Sequence, residues 1–170
     1  VYYWQGDYEK SLQYFNQVSR ILDSLGIKSG FRNTIYTNTA EVLLSMGRLE
    51  EASSLLEIAL ANSRTLKDKG TESSSLSVIG KVEIERKEYD KAIEHLLKAY
   101  ELNKNMHSKV DLIHISTQLG KAYYFAKDVA NASKYLDESI ATHEAIGSEK
   151  YLWEALYFKG LAAKEQGQTA

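Results

Sequence analysis

Small residues recur along this chain at a fixed step: Ala40, Gly80, Gly120 and Gly160 stand 40 positions apart. The same step joins Ala52, Ala92 and Ala132, then Leu56, Leu96 and Leu136, then Ala59, Ala99 and Ser139. An earlier copy follows at a step of 41, from Gly6 to Gly47, Ser11 to Ala52, Phe15 to Leu56 and Val18 to Ala59. Registers held in phase over 170 residues imply repeated supersecondary units, each too small to bury its apolar face without neighbours. The approximate units are 1–29 (partial), 30–69, 70–109, 110–149 and 150–170 (partial), read as one array over 1–170.

Each unit reads as two helices. The first carries stretches such as Thr34 to Leu44 and stops at Gly47, or at Gly6 one unit earlier, where glycine takes a left-handed cap cheaply. Turns then lead into the second helix: Gly6-Asp7-Tyr8, Gly47-Arg48-Leu49 and Lys87-Glu88-Tyr89. Asp7 and Asp128 are placed to cap second helices, and the run Ser73-Ser74-Ser75 reads as a capping segment at the start of a first helix. The absence of proline from all 170 residues lets these helices run long. Glycine inside a helix costs about 1 kcal/mol relative to alanine. Gly80, Gly120 and Gly160 at one register therefore point to close helix contact, with Leu56, Leu96 and Leu136 filling the hairpins. Val1 to Trp4 read as the middle of a helix, so the chain is expected to be a fragment of a larger protein.

Gly80, Tyr89, Ala92, Leu96 and Ala99, followed by Gly120, Ala132 and Leu136, resemble the tetratricopeptide repeat pattern over essentially the whole chain. The resemblance implies an all-α, right-handed superhelical solenoid of antiparallel helix hairpins. The family period is 34 residues, and the 40-residue step here requires longer helices or links. Lys87 and Lys127 stand where glycine is preferred, at roughly 1 kcal/mol each if the left-handed cap is kept. Elongated repeats of this kind resemble those of bacterial signalling proteins, including sensor histidine kinases and peptide-responsive regulators. Links such as Leu22 to Gly26 and Ala145 to Glu149 strengthen that likeness.

Catalysis requires several groups converging at one place. None of His95, His107, His114 and His143 belongs to a metal-binding spacing, and no phosphate loop or nucleophile elbow occurs. Register puts His95 on a second helix and His107 in a link. Cysteine is absent, which removes disulfides, thiolate metal sites and thiol nucleophiles. The reading is a non-enzyme with no metal and no cofactor in this segment. Basic residues number 21 against 23 acidic, so no cationic surplus exists to displace phosphate counterions, and nucleic acid is excluded as a partner. No apolar run approaches the ~20 residues that cross a bilayer.

The family resemblance implies that first helices line a concave surface on which partners lie. Carried over by register, the groove residues are Glu41, Lys81, His114, Thr117, Lys121, Tyr124, Phe125 and Tyr157. Lys81 and Lys121 would set two ammonium groups along one wall beside aromatic surface, which suits a protein or peptide bearing an acidic or carboxylate segment. The carboxylate clamp of chaperone-tail binders is not reproduced, because Thr37 and Glu41, or Ser77 and Lys81, occupy its positions. The implied role is a peptide-binding sensory or regulatory segment of a signal-transduction protein, in the bacterial periplasm or cytoplasm. The alternative is a constitutive assembly adaptor or self-associating homo-oligomer without a switch.

Overall fold

The structure, a computed structural model, describes residues 2–26, 30–106, 108–147, 152–165 and 167. His107 and the Ser148-Glu149 link lie outside the described residues. Tyr2–Gln5, expected to be helical, form a 3-10 turn. Helices follow in the order α1 (Tyr8–Ser24), α2 (Gly30–Ser45), α3 (Leu49–Thr65), α4 (Lys69–Glu85), α5 (Tyr89–Met106), α6 (Lys109–Phe125), α7 (Val129–Ile146) and α8 (Leu152–Glu165). Among the described residues there is no strand, and the architecture is an all-α helical repeat. The even-numbered helices are the first helices of their units and the odd-numbered ones the second.

The two kinds of helix are buried differently. In α5 the buried positions form one stripe, Ala92, Leu96, Ala99, Tyr100 and Asn103, the spacing of a helix with one face on a core. In α6 burial is continuous from Ile115 to Gly120, so this helix is covered on more than one side. Its sequence explains the difference: small and uncharged residues leave α6 no wide solvated face.

Two compact units divide within α4, Val1–Val82 and Glu83–Ala170. In the first, α2 packs on α1 and α3, and its core joins Ala40, Leu43, Ala52, Leu56, Val78 and Val82. In the second, α6 packs on α5, α7 and α8, and Leu136, Ala155 and Phe158 form a core with Tyr124, Ile140 and Leu161 against it. Leu56, Leu96 and Leu136 are all fully buried, each contributing about 1.5–3 kcal/mol by leaving water.

The hairpin turns keep their left-handed residue whatever occupies it. Gly6 and Gly47 have φ of 76° and 73°, and Lys87 and Lys127 have 63° and 67°. Between units Gly26 and Gly147 do the same, with Lys67 at 56° in the corresponding place. Asp7 and Asp128 cap α1 and α7 as expected, accepting from the Lys10 and Asn131 amides at 3.2 and 3.1 Å. The serine run does not cap. Ser73 and Ser75 are buried inside α4, with Ser75 Oγ 2.9 Å from Thr37 Oγ1. Asp68 serves the helix start instead, accepting from the Thr71 amide at 3.1 Å and the Thr71 hydroxyl at 2.7 Å.

Candidate functional site

In the first compact unit, Glu41 on α2 and Lys81 on α4 form an ion pair at 2.6 Å, with both side chains about a quarter exposed. Their shared register one repeat apart brings them together. The Tyr3 hydroxyl approaches Ser45 Oγ at 3.4 Å beside the pair. Burial pushes the Tyr3 phenol pKa up, and the Glu41 carboxylate pushes it further. Lys81 is therefore not an idle ammonium on a groove wall; it is neutralised within its own unit.

The second unit treats Lys121 differently. Its Nζ lies 3.8 Å from both Glu85 and Glu154, beyond the length of a direct hydrogen bond. The same ammonium lies 5.8 Å from the Phe158 ring centroid, within cation–π range. Phe158 is buried and sits edge-on to Tyr124, Phe125 and Tyr157 at 5.8, 5.7 and 5.3 Å. Phe125 stacks on Tyr89 at 5.3 Å and retains 36% of its surface. Lys127 covers the Tyr124 ring at 5.4 Å and pairs with Glu165 at 3.1 Å. Burial raises the Tyr124 phenol pKa, and its hydrogen bond to Glu165 adds to the shift. The result is an aromatic surface with cations on its flank and carboxylates within reach.

One groove assignment needs correcting. Thr117 is 2% exposed and commits its hydroxyl to Ile113 O at 2.9 Å and Ser139 Oγ at 2.7 Å. It packs inside the α6–α7 hairpin, out of reach of a ligand. Tyr157 is exposed and stays beside Phe158 at the edge of the aromatic surface. His114 is half-buried near the start of α6. The register alone places Tyr89 in a turn and leaves Phe158 unremarked. The turn after Lys87 delivers the Tyr89 ring onto Phe125, a contact visible only in three dimensions.

The tetratricopeptide repeat family model matches residues 1–65 and 31–105. The chain belongs to the tetratricopeptide repeat family. Among curated proteins no sequence match was found. Solved structures share the fold of this repeat protein at low identity. BtubC (BKLC) from P. vanneervenii aligns with TM-score 0.81 and 17% identity, over 98% of this chain and 69% of that one. Aspartyl phosphate phosphatase F from Bacillus subtilis aligns with TM-score 0.82 and 19% identity, over 98% of this chain and 44% of its own. The apo form of RapI gives TM-score 0.77 and 15% identity, over 98% and 46%. Such repeats serve as binding scaffolds for proteins or peptides. Among the described residues no group of three His, Asp or Glu side chains is arranged to hold a metal. No described helix is long and apolar enough to cross a membrane.

Proposed function

We propose that this tetratricopeptide segment binds a protein or peptide in bacterial regulation, through the surface of Tyr89, Lys121, Tyr124 and Phe125. The observation that carries the reading is Lys121. A partly shielded ammonium, 3.8 Å from two carboxylates and 5.8 Å from the buried Phe158 ring on which the partly exposed Phe125 packs, exchanges its loose pairing for a ligand carboxylate at low cost. Aromatic anchors with adjacent cations are enriched where interfaces concentrate their energy. The ligand this surface suits is an apolar or aromatic side chain with an acidic residue close by.

The regulatory part of the reading draws on the likeness to an aspartyl phosphate phosphatase and to RapI. In it, ligand binding across first helices changes the spacing of the repeats and so an attached output. Nothing in the chain favours a catalytic role for the segment itself.

The test is affinity capture from the source organism's extract on wild-type chain and on Lys121→Ala/Phe125→Ala, with mass spectrometry of what is retained. A protein held by the wild type and lost by the folded variant supports the surface. Equal retention of every protein by both moves recognition elsewhere. Switching is read from spin labels at Ser24→Cys and Lys164→Cys, which need no background removal because the chain has no cysteine. An unchanged distance distribution on adding the captured partner leaves the constitutive adaptor as the correct reading.

A further inference from the structure

A cleft of about 420 Å³ lies in the second compact unit, lined by Lys87, Glu88, Tyr89, Asp90, Lys91 and Ala126. It opens beside the Tyr89–Phe125 stack, because Tyr89 forms part of its wall and Ala126 follows Phe125 in the chain. Its volume falls within the roughly 300–1,000 Å³ of ordinary ligand pockets.

Three of the four charges in its wall have a role within the fold. Glu88 accepts from Lys91 Nζ at 2.9 Å, so these two neutralise each other. Asp90 stands in the first turn of α5, where a helix favours negative charge. Lys87 is different. It is exposed, and among the described residues its ammonium meets no carboxylate.

The backbone makes a lysine at this place harder to explain as mere surface. Lys87 holds φ of 63°, a conformation that glycine adopts freely and a residue with a Cβ does not. Gly47 fills the same place one unit earlier, at 73°. Forty positions on, Lys127 keeps the conformation at 67°, and there the side chain is used. Its Nζ pairs with Glu165 at 3.1 Å and covers the Tyr124 ring. The residues in register with Glu165 and Tyr124 one unit earlier are Phe125 and Ile84. Lys87 therefore has the backbone of Lys127 without the carboxylate that Lys127 meets.

We infer that the ligand supplies this carboxylate: an acidic side chain of the bound peptide enters the cleft and meets Lys87 Nζ as Glu165 meets Lys127 Nζ. The inference rests on the Tyr89–Lys121–Tyr124–Phe125 surface being where the ligand lies, and it narrows the ligand class. Along α6, Lys121 precedes Phe125 and the cleft residue Ala126 follows it. The fitting peptide has an apolar or aromatic residue bracketed by two acidic ones, one for Lys121 and one for Lys87.

The probes are four fluorescein-labelled, C-terminally amidated octapeptides in a Gly-Ser frame, titrated with the 170-residue protein by fluorescence anisotropy. Their cores are Glu-Phe-Glu, Glu-Phe-Gln, Gln-Phe-Glu and Gln-Phe-Gln. Glu-Phe-Glu should bind tightest, and Lys87→Gln or Lys87→Gly should weaken it about three- to fivefold, the range of one exposed ion pair. Neither variant should alter the affinity for the singly acidic peptide whose carboxylate meets Lys121. Lys87→Gly should lose this binding while its urea midpoint rises, a combination that a folding defect cannot produce. Binding of Glu-Phe-Glu that Lys121→Ala/Phe125→Ala abolishes and neither Lys87 variant weakens overturns the inference and leaves the surface itself standing. An equal loss for all four peptides, Gln-Phe-Gln included, makes Lys87 a structural residue and overturns it too. If no probe binds saturably, the inference and the surface fall together.

Discussion

Gly120 on α6 and Leu136 on α7 touch as a hole and its filling: a Cβ on Gly120 would stand 2.7 Å from Leu136 Cδ2 and closer still to its Cγ. Both Leu136 methyl carbons and its branch point lie against this spot, so the side chain cannot swing clear by moving its tip alone. Gly120→Ala is expected to lower stability by about 1–2 kcal/mol, overpacking outweighing the better helix propensity of alanine. Gly160→Ala, at the same register with open space around it, is expected to raise stability by about 1 kcal/mol. Urea denaturation of the two variants checks the pair. Equal effects of the same sign would mean that the register carries no packing information.

The three lysines at positive φ are a second place where one atom decides the sign. Lys87 holds φ of 63° while its amide bonds Ile84 O at 2.9 Å and the next amide bonds Glu83 O at 2.8 Å. Those bonds need the conformation, not the side chain, which is exposed. Lys87→Gly should therefore stabilise the protein by about 0.5–1 kcal/mol, after the entropy glycine gains in the unfolded chain is subtracted. Lys87→Ala keeps the Cβ and should change little. A midpoint shift of the alanine variant equal to that of the glycine variant would show that relief of the Cβ is not the cause.

These two cases mark what sequence can and cannot reveal. The 40-residue register disclosed the hairpins, the left-handed turns and the small–large contact, because each repeats and each has one physical reason. The caps at Asp7 and Asp128 were equally local. The serine run misled because Ser73 and Ser75 look like capping residues, yet burial between helices satisfies small polar groups as well, as the Thr37–Ser75 pair does. Thr117 failed for the same reason. Pairing was hidden: Lys81 and Lys121 share a register, but Glu41 stands where it meets Lys81 at 2.6 Å, whereas Lys121 is held between two more distant carboxylates. Which charges neutralise each other depends on side-chain reach across helices, which periodicity does not encode.

Acid sensitivity should trace partly to Glu72. This carboxylate is 8% exposed and accepts from Lys69 Nζ at 2.7 Å and Arg64 Nε at 3.1 Å. The Lys69 hydrogen bond is the main cause of its depressed pKa, with burial opposing it. A depressed carboxyl stabilises the fold above its unfolded pKa, near 4.5, and that contribution is lost as pH falls through the folded value. Glu72→Gln should be less stable than wild type by about 1 kcal/mol at pH 7. The gap should close progressively below pH ~4.5. Urea midpoints of both proteins from pH 7 to pH 3 measure it; a gap constant across that range would assign the effect to packing.

The contrast between the two groove lysines yields a sharper test. Glu41 and Lys81 are in direct contact and only about a quarter exposed, so a double-mutant cycle with Glu41→Gln and Lys81→Gln should return a coupling of about 0.5–1 kcal/mol. Raising ionic strength should reduce it only modestly, because partly buried pairs are screened less than exposed ones. Lys121 with Glu154, at 3.8 Å and with Glu85 competing for the same charge, should couple by less than about 0.3 kcal/mol. The ordering matters more than either value. A weakly coupled Lys121 is a charge that a ligand recruits without first breaking an internal bond, whereas Lys81 must be released from Glu41. If the cycles come out reversed, Lys121 is the structural residue, Lys81 the accessible one, and recognition belongs with Tyr3 and Ser45 in the first unit.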